Sequence, residues 1–395
     1  MAGAIAMSGP VDPAQLAEVD RLVGSGNLAA AAQLLEPALA ASDQATPGHW
    51  LQLAGLRRAL KQPRRALDAV HAALVLGPND FLALVMRAGL LERLGDGEAG
   101  TAWEHALAQR PPGDLSGPLA NAVSAGERYY AAWKDQREGE FAAITAPFEA
   151  RADGDAAWRI ARFRDNALRR TKVYYSEPTH FHFPGLTQRE FHPRTAHPWL
   201  ADFEAATAAI RDEMLGVMKS KRAELVPYLQ YQAHEPLAQW RDLNRNPDWT
   251  AIHLLKDGER IEANAAQCPV TMKLLEKVPQ PAIPGASPTA LFSLLAPNTA
   301  IPPHVGVNNA RLLCHLPLVV PEGCWFRVGA ETRFWREGEA FVFDDTMEHE
   351  AANPSDQLRV VMIFDLWHPD LVPVERDAIS ALVGRECTGQ TGTPS

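Results

Sequence analysis

Residues 303–316 read Pro303-His304-Val305-Gly306-Val307-Asn308-Asn309-Ala310-Arg311-Leu312-Leu313-Cys314-His315-Leu316. Pro302 and Pro303 cannot open a helix interior, because proline has no N–H to donate and pushes the residue before it into an extended conformation. A glycine and two asparagines then supply a turn, and 312–316 is an apolar run of strand length. The same alternation of short apolar runs with Gly, Pro and Asn turns fills the chain from Trp249 onward, at 251–255, 290–295, 339–343 and 359–364. Many short strands with turn signals between them predict a β-sandwich or jelly roll.

Two histidines stand at strand ends in this pattern: His304 just before the turn, and His349 just past the 341–343 run. Their separation of 45 positions does not establish a shared metal, but ligands on distant strands of a jelly roll can converge at its mouth. Arg359 opens an otherwise apolar strand, where a guanidinium is costly to bury unless it meets a carboxylate. An anionic ligand would supply one.

The first third has a different grammar. From about residue 15 to 112 the chain is rich in Ala and Leu at helical spacing. Trp50, Ala54, Ala66, Val70, Ala73 and Pro78 resemble one tetratricopeptide repeat. Ala88, Ala99, Trp103, Ala106 and Pro111 resemble a second, and Gly26-Asn27, Ala31, Leu35 and Ala38 a third, at a period near 34. An irregular Ala-rich helical bundle is the alternative. The resemblance implies a concave face that binds a partner protein or peptide.

The expected divisions are a flexible start (1–14), the repeats (15–115), a helical connector (116–175), the jelly roll (176–385) and a tail (386–395). At 179–186 the composition shifts to His, Phe and Pro, and His180-Phe181-His182-Phe183 could set two imidazoles on one face of a strand. An edge strand with solvent-facing histidines is the preferred reading. Residues 198–219 read as one amphipathic helix with Leu200, Phe203, Ala206, Ile210 and Met214 on its apolar stripe.

With 38 Lys+Arg against 48 Asp+Glu, the net charge of -10 argues against a nonspecific nucleic-acid or anionic-membrane surface. Cys268, Cys314, Cys324 and Cys387 have neither disulfide nor zinc-ribbon spacing. The start lacks a signal-peptide pattern, and no later run reaches the roughly 18 apolar residues of a membrane span. A soluble cytoplasmic protein is expected.

An ordered set of motifs carries a more specific resemblance. These are Trp249, Asn264-Ala265, Leu274-Leu275-Glu276-Lys277, Phe292-Ser293, His304-x-Gly306, Asn309-x-Arg311-Leu312, His315-Leu316, Phe343-Asp344-Asp345, Glu348-His349-Glu350, Arg359 and Trp367-His368-Pro369. The stretch 249–371 resembles the aspartyl/asparaginyl β-hydroxylases, iron(II)- and 2-oxoglutarate-dependent dioxygenases. The resemblance implies an α+β multidomain protein with a C-terminal double-stranded β-helix. It makes His304 and His349 the iron ligands, Arg359, Ser293 and His315 the contacts of 2-oxoglutarate, and Trp249 and Asp345 neighbours of the substrate. It also implies consumption of O2 with hydroxylation of an Asp or Asn β-carbon in a peptide or protein. Alternatives are a lipid acyl-chain hydroxylase of the same family, a non-catalytic metal-binding scaffold, or a cupin-like protein using zinc or nickel.

Iron oxygenases of this type usually carry a carboxylate ligand two residues after the first histidine. Here Gly306 stands there, as in the hydroxylase family. Leu313 departs from the animal members, which carry arginine at the matching position. Arg311, two residues away on the same strand face, is the nearest other cation.

Overall fold

The computed structural model describes residues 9–220, 226–230, 232, 234 and 240–389. The expected flexible start lies outside the described residues as far as residue 8, and the expected tail from residue 390. The chain divides into two compact units, Met1–Arg164 and Asp165–Ser395.

The first unit is built from helices α1 (Pro13–Gly24), α2 (Leu28–Ala40), α3 (Pro47–Ala59), α4 (Pro63–Leu76), α5 (Phe81–Leu94), α6 (Ala99–Ala108) and α7 (Gly117–Glu149). The odd members α1, α3 and α5 begin at residues 13, 47 and 81, thirty-four apart, so the sequence period is the structural one. Side chains of Asp12, Asn27, Thr46 and Asp80 accept from free backbone N–H groups at four helix starts. Ala31, Ala32, Ala54, Ala66, Ala73 and Ala88 are fully buried, which lets neighbouring backbones approach closely.

Two tryptophan–glycine pairs lock α6 to α7. The Trp103 indole lies on Gly126, where a Cβ would stand 2.2 Å from the ring, and Trp133 lies on Gly100 with the same 2.2 Å spacing. Trp103 Nε1 also donates to Glu92 Oε2 at 2.8 Å. The first half of α7, read in sequence as connector, packs on the last repeat. A further helix, α8 (Gly154–Ala167), runs across the division between the units.

The second unit opens with a non-helical segment and two helices, α9 (Leu200–Ala205) and α10 (Thr207–Lys219). The single helix expected over 198–219 is interrupted at Ala206 (φ -95°, ψ 4°). Leu200, Phe203, Ile210 and Met214 are nonetheless buried together.

Then come β1 (Val226–Pro227), β2 (Trp249–Lys256), β3 (Glu259–Arg260), α11 (Glu262–Ala265), α12 (Pro269–Leu275), β4 (Ala290–Leu295), β5 (Thr299–His304), β6 (Arg311–Val319), β7 (Trp325–Val328), β8 (Glu331–Phe334), β9 (Phe341–Phe343), β10 (His349–Asn353), β11 (Arg359–Trp367) and α13 (Pro373–Gly389). They form two antiparallel sheets. The larger runs β1-β2-β4-β11-β6-β9 with β3 on β2, and the smaller β5-β10-β7-β8.

β4 and β11, in the middle of the larger sheet, are buried on both faces, which is why they read as apolar runs broken only by Ser293, Arg359 and Asp365. On β11, Val360, Met362 and Phe364 pack with α9 and α10, whereas Val361 and Ile363 face the smaller sheet. The fold is therefore α+β, helical repeats followed by a jelly roll. No helix among the described residues is long and apolar enough to cross a membrane.

The segment before α9 is pinned along the roll. Glu177 N donates to Thr346 O, Thr179 N to Gly306 O and His180 N to Val307 O. His180 and His182 are exposed, while Phe181 and Phe183 pack inward. Further on, His192, His197 and His368 form a buried cluster with ring centroids 6.2 Å (His192–His197) and 5.1 Å (His192–His368) apart. Burial, reinforced by the neighbouring imidazoles, lowers His192 to about 3 and His197 to about 4. In the unfolded chain these groups protonate near 6.5. The unfolded state therefore binds more protons below that pH, and stability falls as pH drops from about 6.5 toward 4. Near pH 5 each of the two costs on the order of 2 kcal/mol. Thermal unfolding between pH 7 and 5 should show a steep decline that is flatter in His192→Gln; an unchanged slope would place the acid sensitivity elsewhere.

Candidate metal centre

Antiparallel pairing of β5 with β10 sets His349 opposite His304. A sequence separation of 45 residues thereby becomes a cross-strand contact, with ring centroids 3.9 Å apart. His304 Nδ1 lies 2.8 Å from Pro302 O and His349 Nδ1 3.0 Å from Met347 O. A backbone carbonyl accepts from Nδ1–H, so each ring is in the tautomer whose Nε2 lone pair is free. Burial keeps the pair neutral: His304 is lowered to about 3 by desolvation and by His349, and His349 to about 4 chiefly by desolvation. Neutral imidazoles with open Nε2 atoms are what a divalent metal requires. No group of three or more His, Cys, Asp or Glu side chains placed to hold a metal occurs among the described residues. His304 and His349 are the candidate donors.

The space after the first histidine explains the missing third ligand. Gly306 has no left-handed backbone requirement, since it is absent from the positive-φ glycines. A Cβ there would stand 2.2 Å from Asp345 Oδ2 and 2.4 Å from its Cγ. The Gly306 N–H donates to Asp345 O at 2.6 Å, fixing the two loops against each other. The buried Asp345 carboxylate thus fills the volume that a side chain at 306 would need. Its Oδ1 has no hydrogen-bond partner among the described residues, and desolvation raises its pKa. Asp344 is held differently, its Oδ1 accepting from Thr346 N and Oγ1, and burial raises it to about 7.

On the inner face of the larger sheet, Arg359 is 2% exposed. Its Nη1 lies 3.4 Å from both Ser293 O and Ser293 Oγ, its guanidinium sits 4.6 Å from the Trp335 ring, and Nε has no partner. No carboxylate forms an ion pair with it among the described residues, and desolvation lowers it to about 10. A guanidinium left in that state calls for an anion. Trp249 Nε1 donates to Ser293 Oγ at 3.1 Å, and His315, whose Nδ1 is unpartnered, is held neutral by burial and by Arg359. His304, His349, Arg359, Ser293, His315 and Trp249 all line one cavity.

Asp345 does not line that cavity; with Arg311 it belongs to the adjoining region. Arg311 lies 3.5 Å from Asp345 Oδ2 and 3.6 Å from Asp365 Oδ2, and lines a second cavity of about 330 Å³. Leu313, Ile363 and Tyr228 line both spaces. Arg311 therefore does not place its charge in the cavity around Arg359, and Leu313 contributes an apolar wall there. Sequence reasoning missed Tyr228, which stacks on Trp249 at 3.9 Å, and Trp335. Neither belongs to a local pattern; an unpaired buried arginine was the only hint that an aromatic face would be needed beside it.

The jelly roll thus encloses a histidine pair beside a buried arginine that has no carboxylate partner among the described residues. A profile described as Aspartyl/Asparaginyl beta-hydroxylase matches residues 204–369. The human protein named aspartyl/asparaginyl beta-hydroxylase is 32% identical over 217 residues, covering 51% of this chain and 27% of the relative. Human aspartate beta-hydroxylase domain-containing protein 2 is 36% identical over 148 residues (36% and 40%). The ornithine lipid ester-linked acyl 2-hydroxylase of Rhizobium tropici is 32% identical over 200 residues, covering 50% of this chain and 67% of that one. The chain belongs to the aspartyl/asparaginyl β-hydroxylase family. It spans about a quarter of the length of the human hydroxylase and two thirds of the Rhizobium enzyme.

The Gly306–Asp345 contact is testable without any ligand. Gly306→Ala should lose roughly 1–3 kcal/mol of stability through overpacking, and much less in an Asp345→Ala background, where the clashing atoms are gone. Equal losses in both backgrounds, read by denaturant unfolding, would show that the carboxylate is not what excludes a side chain.

Proposed function

We propose that this protein is an iron(II)- and 2-oxoglutarate-dependent dioxygenase that hydroxylates an unactivated C–H bond, first of all the β-carbon of Asp or Asn in a peptide or protein. The observation that carries the reading is the coincidence, in one cavity, of two neutral histidines with free Nε2 atoms and a buried arginine that has no carboxylate partner.

Bound there, iron(II) with 2-oxoglutarate and O2 supplies the oxidising power, the oxo acid leaving as succinate and carbon dioxide. His304 and His349 would hold the metal through Nε2. Arg359 would neutralise the far carboxylate of the acid, with Ser293 Oγ and the His315 ring as further polar contacts. Trp335, Phe326 and the stacked Tyr228–Trp249 pair keep water from these charges and strengthen them. Asp345, beside the glycine, would set the polarity of the coordination face that no protein ligand occupies. The cavity holds only about 50 Å³. That is less than ordinary ligand pockets, so admitting the acid requires rim side chains such as Tyr228 to give way.

A second substrate class is favoured by one observation: Leu313, Ile363 and Leu291 give the wall next to the centre an apolar character suited to an acyl chain. The Rhizobium relative is named for acyl hydroxylation.

Loading with iron(II) and 2-oxoglutarate without oxygen, then admitting air in the presence of asparaginyl peptides or acyl lipids, should yield succinate, and His304→Ala should yield none. Succinate formation retained in that variant would remove the histidine from the centre. Arg359→Gln should raise the 2-oxoglutarate concentration for half-maximal turnover by roughly 10–100-fold. With only two protein ligands, iron titration should show weak binding alone and clearly tighter binding with 2-oxoglutarate; identical curves would argue against direct contact between metal and acid.

A further inference from the structure

Glu348, His349 and Glu350, where β10 begins, divide between the two faces of the smaller sheet. His349 turns inward to the cavity, whereas Glu350 alternates to the outer face, opposite Arg327 of β7. Phe326 and Val328, the neighbours of Arg327, are buried in the core between the sheets, which sets the arginine on the outside. From there its Nε donates to Glu350 Oε1, its Nη2 to Glu348 Oε1 at 2.8 Å and its Nη1 to Gly329 O at 2.7 Å. One guanidinium thus closes on both carboxylates that flank the histidine.

This clamp differs from a solvated ion pair. The Arg327 side chain is only 17% exposed, and its planar donors are shared among three acceptors. Gly329 has a φ of 53°, and a Cβ there would stand 2.8 Å from Glu190 Cγ, so the turn after β7 holds one shape. The Gly329 N–H donates back to Glu348 O at 2.8 Å, tying that turn to the residue before the histidine. The Tyr174 ring stands 5.5 Å from the guanidinium. Without Arg327 the two carboxylates would lose the cation between them, and their repulsion would act on the backbone on both sides of His349.

We propose that Arg327 is a positioning residue for the candidate metal centre. By neutralising Glu348 and Glu350 on the outer face, it fixes the backbone that carries His349 and keeps that imidazole aligned with His304. The inference rests on the reading of the two histidines as metal ligands.

The test is titration of the full chain with cobalt(II), whose visible absorption reports ligand geometry, alongside thermal unfolding of each variant. The parent should bind with bands that disappear in His304→Ala. Arg327→Gln, titrated where it is still folded, should raise the cobalt dissociation constant by about tenfold or more and alter the bands. If that variant unfolds, Arg327→Lys, which keeps the charge without the planar fork, should show the same loss to a smaller extent. Adding Glu348→Gln and Glu350→Gln to Arg327→Gln removes the repulsion and should recover most of the affinity. Arg333→Gln removes the Arg333–Glu331 pair from β8 of the same sheet and should stay within about twofold of the parent. The proposal is overturned if the Arg327 variants bind cobalt as the parent does, if the triple variant binds no better than Arg327→Gln, or if Arg333→Gln loses as much affinity. A parent that binds no cobalt would remove the metal reading itself, and the proposal with it.

Discussion

The pairing of β5 with β10 fixes the chemistry of the second unit. Because that ladder sets His304 against His349, the two rings need no long loop or flexible tether to meet; backbone hydrogen bonds hold them. The same ladder orients the imidazoles, since each Nδ1 is taken up by a carbonyl two residues earlier in its own strand approach. On the opposite sheet, Arg359 begins β11 with its backbone in register with Leu295 of β4 and its side chain turned inward beside Ser293. The two sheets therefore present a pair of neutral imidazoles on one wall and a buried guanidinium on the other. Such preorganisation lowers the cost of assembling the reacting groups.

The desolvated arginine shows how the fold tolerates a group it would otherwise reject. A guanidinium buried without a carboxylate loses its hydration, and among the described residues the Trp335 face and two long contacts to Ser293 offset that loss. The lowered pKa records the imbalance. Groups perturbed in this way by burial cluster at functional sites.

Much of this was legible in the chain. The thirty-four-residue spacing of α1, α3 and α5 was readable because each repeat reuses the same small buried positions, such as Ala54 and Ala88. The strands were readable because the larger sheet is covered on both faces, so β4 and β11 are apolar at all positions but Ser293, Arg359 and Asp365. What escaped depends on contacts between distant segments. The break at Ala206 involves neither proline nor glycine, so no local sequence signal marks it. Tyr228 and Trp335 join the cavity only through tertiary folding, and the fit of Asp345 against Gly306 brings together residues 39 positions apart.

That last fit bears on how such centres diverge. Placing a carboxylate at position 306 would require the Asp345 carboxylate, which fills that volume, to shift or be exchanged as well. Packing between two neighbouring loops thus couples the residue after the first histidine to the acid 39 positions on.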